Sequence, residues 1–296
     1  MKESKKLRRS LVAAALALLA GLFSVSAATF AWYVYNTSGR TTRVEMLAGS
    51  SVDMRISNRA DGEYKSTAVM EPFEGLLNPV STNRIVSVTE GGTFVGFQRA
   101  EGFEGWMDAS TGTSRVVAVL FGKGQENVDY HKASLYLKTT SDSLDIYLSD
   151  IGFTDVDSAR PLSTALRLGI VTDEGEAIFE VSGEHDENRG DNADKMARDG
   201  YVLDSTKTDG SQVPFTPLTS DNFCIYDKAT GAVTLKPDSR KLCTVKGDGK
   251  QGYGDPVKVD IYLWLEGCDP DCTMNVSGQT LESLTLSFAG YSGEGA

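Results

Sequence analysis

Histidine is nearly missing from this chain: 296 residues contain two, His131 and His185. Neither stands in His-Glu-x-x-His, the spacing that puts two zinc ligands on one helical face. No Gly-x-Ser-x-Gly elbow and no legible Cys/His pairing occurs, so nucleophilic catalysis is not expected and the protein reads as non-enzymatic. His131 falls in a strand pattern as a solvent-facing sheet residue, and His185 in a solvated acidic loop. Cysteine is scarce and late, with Cys224, Cys243, Cys268 and Cys272 all in the last third. The C-x3-C spacing of GCDPDC lacks the Cys-x-x-Cys signature of structural zinc. Four cysteines allow three connectivities; pairing Cys224 with Cys243 and Cys268 with Cys272 keeps both loops local, and free thiols are the other reading.

Cations are also in short supply, 29 Lys and Arg against 41 Asp and Glu. Five of the cations, Lys2, Lys5, Lys6, Arg8 and Arg9, lie in the opening MKESKKLRRS. They precede an apolar run from Leu11 to Phe23, which is the n-region and h-region of a secretory signal. The pairs Ser26/Ala28 and Thr29/Ala31 each place small residues three and one before a signal-peptidase cut. An uncleaved anchor from Leu11 to about Tyr35, with Trp32, Tyr33 and Tyr35 as an interfacial belt, is the alternative. A cut after Ala31 leaves residues 32–296 with 24 basic and 40 acidic residues, a formal charge of −16. Nucleic acid is excluded as a partner on that balance, and the membrane is met only through the signal segment. There is no long internal repeat and no Pro/Ser-rich stalk. GYSGEGA carries no hydrophobic tail, so no carboxy-terminal anchor is expected.

What the chain has in abundance is alternation at period two. In PVKVDIYLWLEG, Val257, Val259, Ile261, Leu263 and Leu265 alternate with Lys258, Asp260, Tyr262, Trp264 and Glu266, as in a half-buried strand. HKASLYLKTTS, SLDIYLSDIGF, STALRLGIVT and ESLTLSFAG repeat the pattern, and SVDMRIS, RIVSVT, TFVGFQ, RVVAVLFG and EAIFEV are shorter candidates. Helical spacing is confined to a weak stretch near Asn192 to Arg198. The expected fold is an all-β antiparallel sandwich or barrel, one domain over 32–296. Two polar segments, near 183–217 and 247–256, read as surface insertions within it.

Closely spaced carboxylates offer a calcium candidate, Glu266, Asp269 and Asp271 in LEGCDPDC, for which a turn set by Asp and Pro is the competing reading. Asp186, Glu187, Asp191 and Asp194 form a second acidic group in the long loop. No other cofactor is suggested. Trp264 and Trp106 invite a carbohydrate-binding reading if their faces are exposed.

The signal segment LALLAGLFSVSAATFAWYVYNTSG, the strand ending SSVDMRISN, the late VDIYLWLEGCDPDC and the final LTLSFAG together resemble the TasA/camelysin-like exported proteins of Gram-positive bacteria. Those are processed by SipW-type signal peptidase. Thr29, Phe30 and Ala31 before Trp32 are similar to that family's cut site. The resemblance implies a jelly-roll-like β-sandwich behind an amino-terminal signal helix. It also implies an extracellular or cell-surface location, and assembly with itself or related proteins into biofilm matrix fibres. The fibre-forming segment would be the freed amino terminus, Trp32, Tyr33, Val34 and Tyr35, pairing with an exposed sheet edge of the next subunit. A monomeric, membrane-anchored ligand-binding or adhesin-like module is the alternative. Metalloprotease-like activity, described for some relatives, finds no site in these residues.

Overall fold

The computed structural model describes residues 41–47, 54–70, 77–89, 92–95, 98–101, 104–108, 113–117, 120–184, 200–207, 211–272, 276, 279 and 281–293. The signal segment, Trp32 to Tyr35, His185, the loop acids Asp186 to Asp194 and the weak helical stretch Asn192 to Arg198 lie outside them. In chain order the strands are β1 (Thr41–Leu47), β2 (Met54–Ser57), β3 (Thr67–Met70), β4 (Val80–Ser81), β5 (Val86–Thr89), β6 (Gly92–Val95) and β7 (Gln98–Glu101). Next come β8 (Glu104–Asp108), β9 (Thr113–Val117), β10 (Leu120–Lys123), β11 (Tyr130–Thr139), β12 (Leu144–Asp155), β13 (Leu166–Thr172) and β14 (Gly175–Glu180). The last are β15 (Tyr201–Leu203), β16 (Gln212–Pro214), β17 (Ile225–Tyr226), β18 (Val233–Thr234), β19 (Lys241–Val245), β20 (Val257–Leu265) and β21 (Leu281–Tyr291). Two short 3-10 turns, Ser163–Ala165 and Ser220–Asn222, are the only helical elements among the described residues.

Two five-stranded sheets dominate, ordered β19-β12-β21-β1-β3 and β14-β13-β20-β11-β2. Their pairings are antiparallel except β1 with β21, the one parallel couple between named strands among the described residues. Period-two alternation explains why the sheets close on each other. Leu135 and Leu137, Leu166, Leu168 and Ile170, and Val259, Ile261 and Leu265 come from the second sheet. They meet Ile146, Leu148, Cys243, Val245, Leu284, Leu286 and Phe288 of the first in one buried cluster. Each such side chain contributes about 1.5–3 kcal/mol by leaving water, which makes this cluster the main source of stability.

The strand VKVDIYLWL departs from the half-buried expectation. Its inward row is core, but Tyr262 and Trp264 on the other row are 6% and 0% exposed. They form a second cluster with Val80, Ile85, Tyr130 and Ile178. The cover comes from a segment that alternation alone could not place. Beyond β3 the chain builds a small sheet, β10-β7-β4, and the hairpins β5-β6 and β8-β9, instead of extending the main sheets. Gly169 permits the cover, since a Cβ there would collide with the Ile85 side chain and stand 3.0 Å from the Trp264 ring.

The end of the 183–217 insertion is likewise not a solvated loop. Its β15-β16 ribbon buries Val202 and Leu203, and Leu203 N donates to Ser81 Oγ at 2.9 Å. The 247–256 segment is a turn-rich loop, with Asp248 Oδ1 accepting from the backbone of Lys250 and Gly252. Both edges of the second sheet are covered locally. The backbone at Leu218 bonds both Glu180 and Ile178 along β14, and Lys65 does the same to Ile56 on β2.

Candidate functional site

Polar chemistry concentrates where β20 runs into the turn EGCDPDC. The turn is tied down by its backbone: Glu266 N donates to Ala165 O at 2.9 Å and Gly267 N to Val80 O at 2.8 Å. Cys272 N donates to Asp269 O at 3.0 Å, and Asp271 N to Asp269 Oδ1 at 2.8 Å, which closes an Asx-type turn. Glu266, Asp269 and Asp271 are all buried. Glu266 Oε2 accepts from Trp264 Nε1 at 3.2 Å and Oε1 from Cys268 N at 3.1 Å. Asp269 forms a buried ion pair with Arg167, whose guanidinium also donates to the Thr164 and Leu166 carbonyls.

Burial raises the Glu266 carboxyl to about 7, against the pull of Ser81, Arg167, Trp264 and the Cys268 amide, which favour the charged form. The same desolvation pushes the Cys268 thiol to about 12 and raises Cys272 further. Neither presents a thiolate at neutral pH. A cavity of about 250 Å³ lies between this turn and the β15-β16 ribbon, lined among others by Arg167, Glu180, Tyr201, Phe215, Glu266 and Asp269.

The three calcium candidates are thus brought into one turn, but Glu266 and Asp269 accept hydrogen bonds from protein donors. Calcium needs six to eight oxygens free to turn toward it. No group of three or more His, Cys, Asp or Glu side chains that could hold a metal occurs among the described residues. No disulfide joins the four cysteines here, which fits the free-thiol reading over the two local pairings. Cys243 belongs to the core between the sheets, whereas Cys224 packs with Tyr147 and Ala289 on the outer side of the same sheet. Opposite faces keep those two sulfurs apart. Trp264 is enclosed, which removes it as an exposed sugar platform; Trp106 lies in β8. His131 is half-buried with Nδ1 3.1 Å from Asn127 Oδ1, and burial holds its pKa below the usual value.

Arg167 escaped notice in the sequence. Its signal was an arginine between Leu166 and Leu168 in an otherwise apolar strand, where only a buried partner stabilises it.

The second site of interest is β1. Thr41 to Leu47 run in register with Ser283 to Ala289, and Thr42 to Glu45 pair with Met70 to Thr67 of β3. The start of the described chain therefore occupies an interior position of its own sheet.

No family model, curated protein or solved structure matches this chain.

Proposed function

We propose that this is an exported, non-enzymatic structural protein of the cell surface or biofilm matrix, which self-associates by exchanging its amino-terminal strand between copies. One observation carries the reading: β1 is interposed between β21, to which it runs parallel, and β3, to which it runs antiparallel. The couples β11·β20, β12·β19 and β13·β14 are nested and antiparallel, as if one long hairpin had been rolled up. That nesting supports a jelly-roll-like sandwich. Since β3 is antiparallel to β1, and β1 parallel to β21, β3 runs in the direction that the outermost partner of β21 would need. β1 is thus a strand the roll does not require from its own chain. It is joined to β2 by only residues 48–53, and a short connection between an end strand and the other sheet suits exchange with a neighbour.

Export is supported by the basic start and apolar run, with a SipW-type peptidase cutting after Ala31. Trp32 to Tyr35 would then extend the exchanged segment. The test is a lock between register partners, Arg43→Cys with Thr285→Cys. The oxidised double variant is expected to sediment as monomer, and the same protein after reduction to form high-mass species. Equal assembly in both states overturns the reading.

A further inference from the structure

We propose that the outward face of β2, β11 and β20 binds an acidic polysaccharide. The outward positions of these strands carry Arg55, Lys138 and Lys258, with Lys132 at the border of the part covered by the second cluster, and a single carboxylate, Asp260. Four cations against one anion stand out in a chain whose formal charge is −12. The Asp260 carboxylate is shared, 3.3 Å from Lys132 Nζ and 2.9 Å from Lys258 Nζ, and it also accepts from Ser134 Oγ at 2.5 Å. The nearby loop acids Asp61 and Glu63 are paired with Arg59 and Lys65. An excess of positive charge therefore stays on the sheet.

Aromatic rings are interleaved with these cations. Lys138 Nζ lies 4.7 Å from the centre of the Tyr64 ring, and Arg55 Nε donates to Tyr253 Oη at 3.3 Å. Tyr136 stands between Ser57 and Lys258 in the register, and Tyr253 is 41% exposed. Outward residues recur about 6.7 Å apart along a strand, with about 4.8 Å between strands. Cation and ring thus alternate on the scale of one sugar residue.

A uronate polymer offers one carboxylate per sugar for the lysines and apolar sugar faces for the tyrosines. A nucleic acid carries denser phosphate charge, which this acidic chain repels over most of its surface. This inference is independent of strand exchange, because the face belongs to the second sheet and β1 to the first.

The experiment titrates the purified exported protein with sodium alginate by calorimetry, with dextran as the neutral probe and oligothymidylate as the dense-phosphate probe. Alginate is expected to bind at about 50 mM salt and to weaken at least tenfold at about 500 mM as the charges are screened. Dextran and oligothymidylate are expected to bind at least tenfold more weakly than alginate. Lys138→Gln with Lys258→Gln should weaken alginate roughly tenfold with an unchanged thermal midpoint, and Tyr253→Ser by a few-fold. Asp260→Asn removes the one anion and should tighten binding a few-fold, a reversal that general loss of structure does not produce. The proposal falls if the lysine variant binds like the parent, if dextran or oligothymidylate matches alginate, or if Asp260→Asn leaves affinity unchanged or weaker. It also falls if the lysine variant changes only self-association, which would make the face a contact between copies.

Discussion

At the scale of single residues, the turn after β20 is held by interactions that are costly to break singly. Arg167 and Asp269 are both nearly inaccessible, so Asp269→Asn leaves a buried guanidinium uncompensated and is expected to cost about 3–5 kcal/mol in urea unfolding. The double change Arg167→Met with Asp269→Leu should recover most of that loss. Glu266 makes a different prediction because its folded value, about 7, is raised from 4.5. The folded state then holds a proton between those values that the unfolded chain has released. Stability falls as pH rises through that window, by up to about 3 kcal/mol, and levels off above it. Glu266→Gln should flatten that part of the pH profile of the thermal midpoint. Gly169→Ala is expected to destabilise by about 1–3 kcal/mol through its clash with Ile85, with part of the loss restored by Ile85→Val. None of these partners could be read from the chain, since Arg167 and Asp269 are 102 positions apart and meet only across the fold.

At the scale of elements, legibility follows the alternation of residue types along the chain rather than depth in the fold. Strands such as Leu166–Thr172 and Leu281–Tyr291 announce themselves because large apolar residues alternate in the sequence with polar or small ones, although both rows are buried over Leu166–Ile170 and Leu286–Gly290. Alternation marks Val257–Leu265 as a strand but leaves its depth open. Tyr and Trp on its second row are compatible with either solvent or cover, and the cover comes from residues 80–86, far away in sequence. The β15-β16 ribbon was hidden for the opposite reason: three-residue strands amid polar residues carry too few apolar positions to show a period. The edge of β14 is closed by a short backbone contact at Leu218. Replacing Leu218 by Pro removes the donor to Ile178 and uncovers that edge, so off-pathway aggregation on mild heating should increase, measured by light scattering.

At the scale of the whole molecule, two facing sheets and three packed clusters leave the thiols enclosed. Cys224, Cys243 and Cys268 are buried and Cys272 half-buried. A thiol reagent is expected to modify the native protein slowly and all four cysteines at once in denaturant. Rapid native labelling of more than one would contradict this packing. The period-two pattern foretold such an all-β body, whereas the parallel slot of β1 was beyond it, because alternation says which face a strand buries and nothing about its neighbour.

That slot also governs when folding can finish. Thr41 pairs with Ser283, 242 positions later, so the first sheet closes only after nearly the entire chain has been made. Contacts of such sequence separation form slowly. Until then β1 has only β3 of its own chain beside it, and the side that takes β21 stays open. If copies exchange this strand as proposed, local protein concentration during that interval, more than the final energy of the pairing, sets whether β21 receives its own β1 or that of another copy.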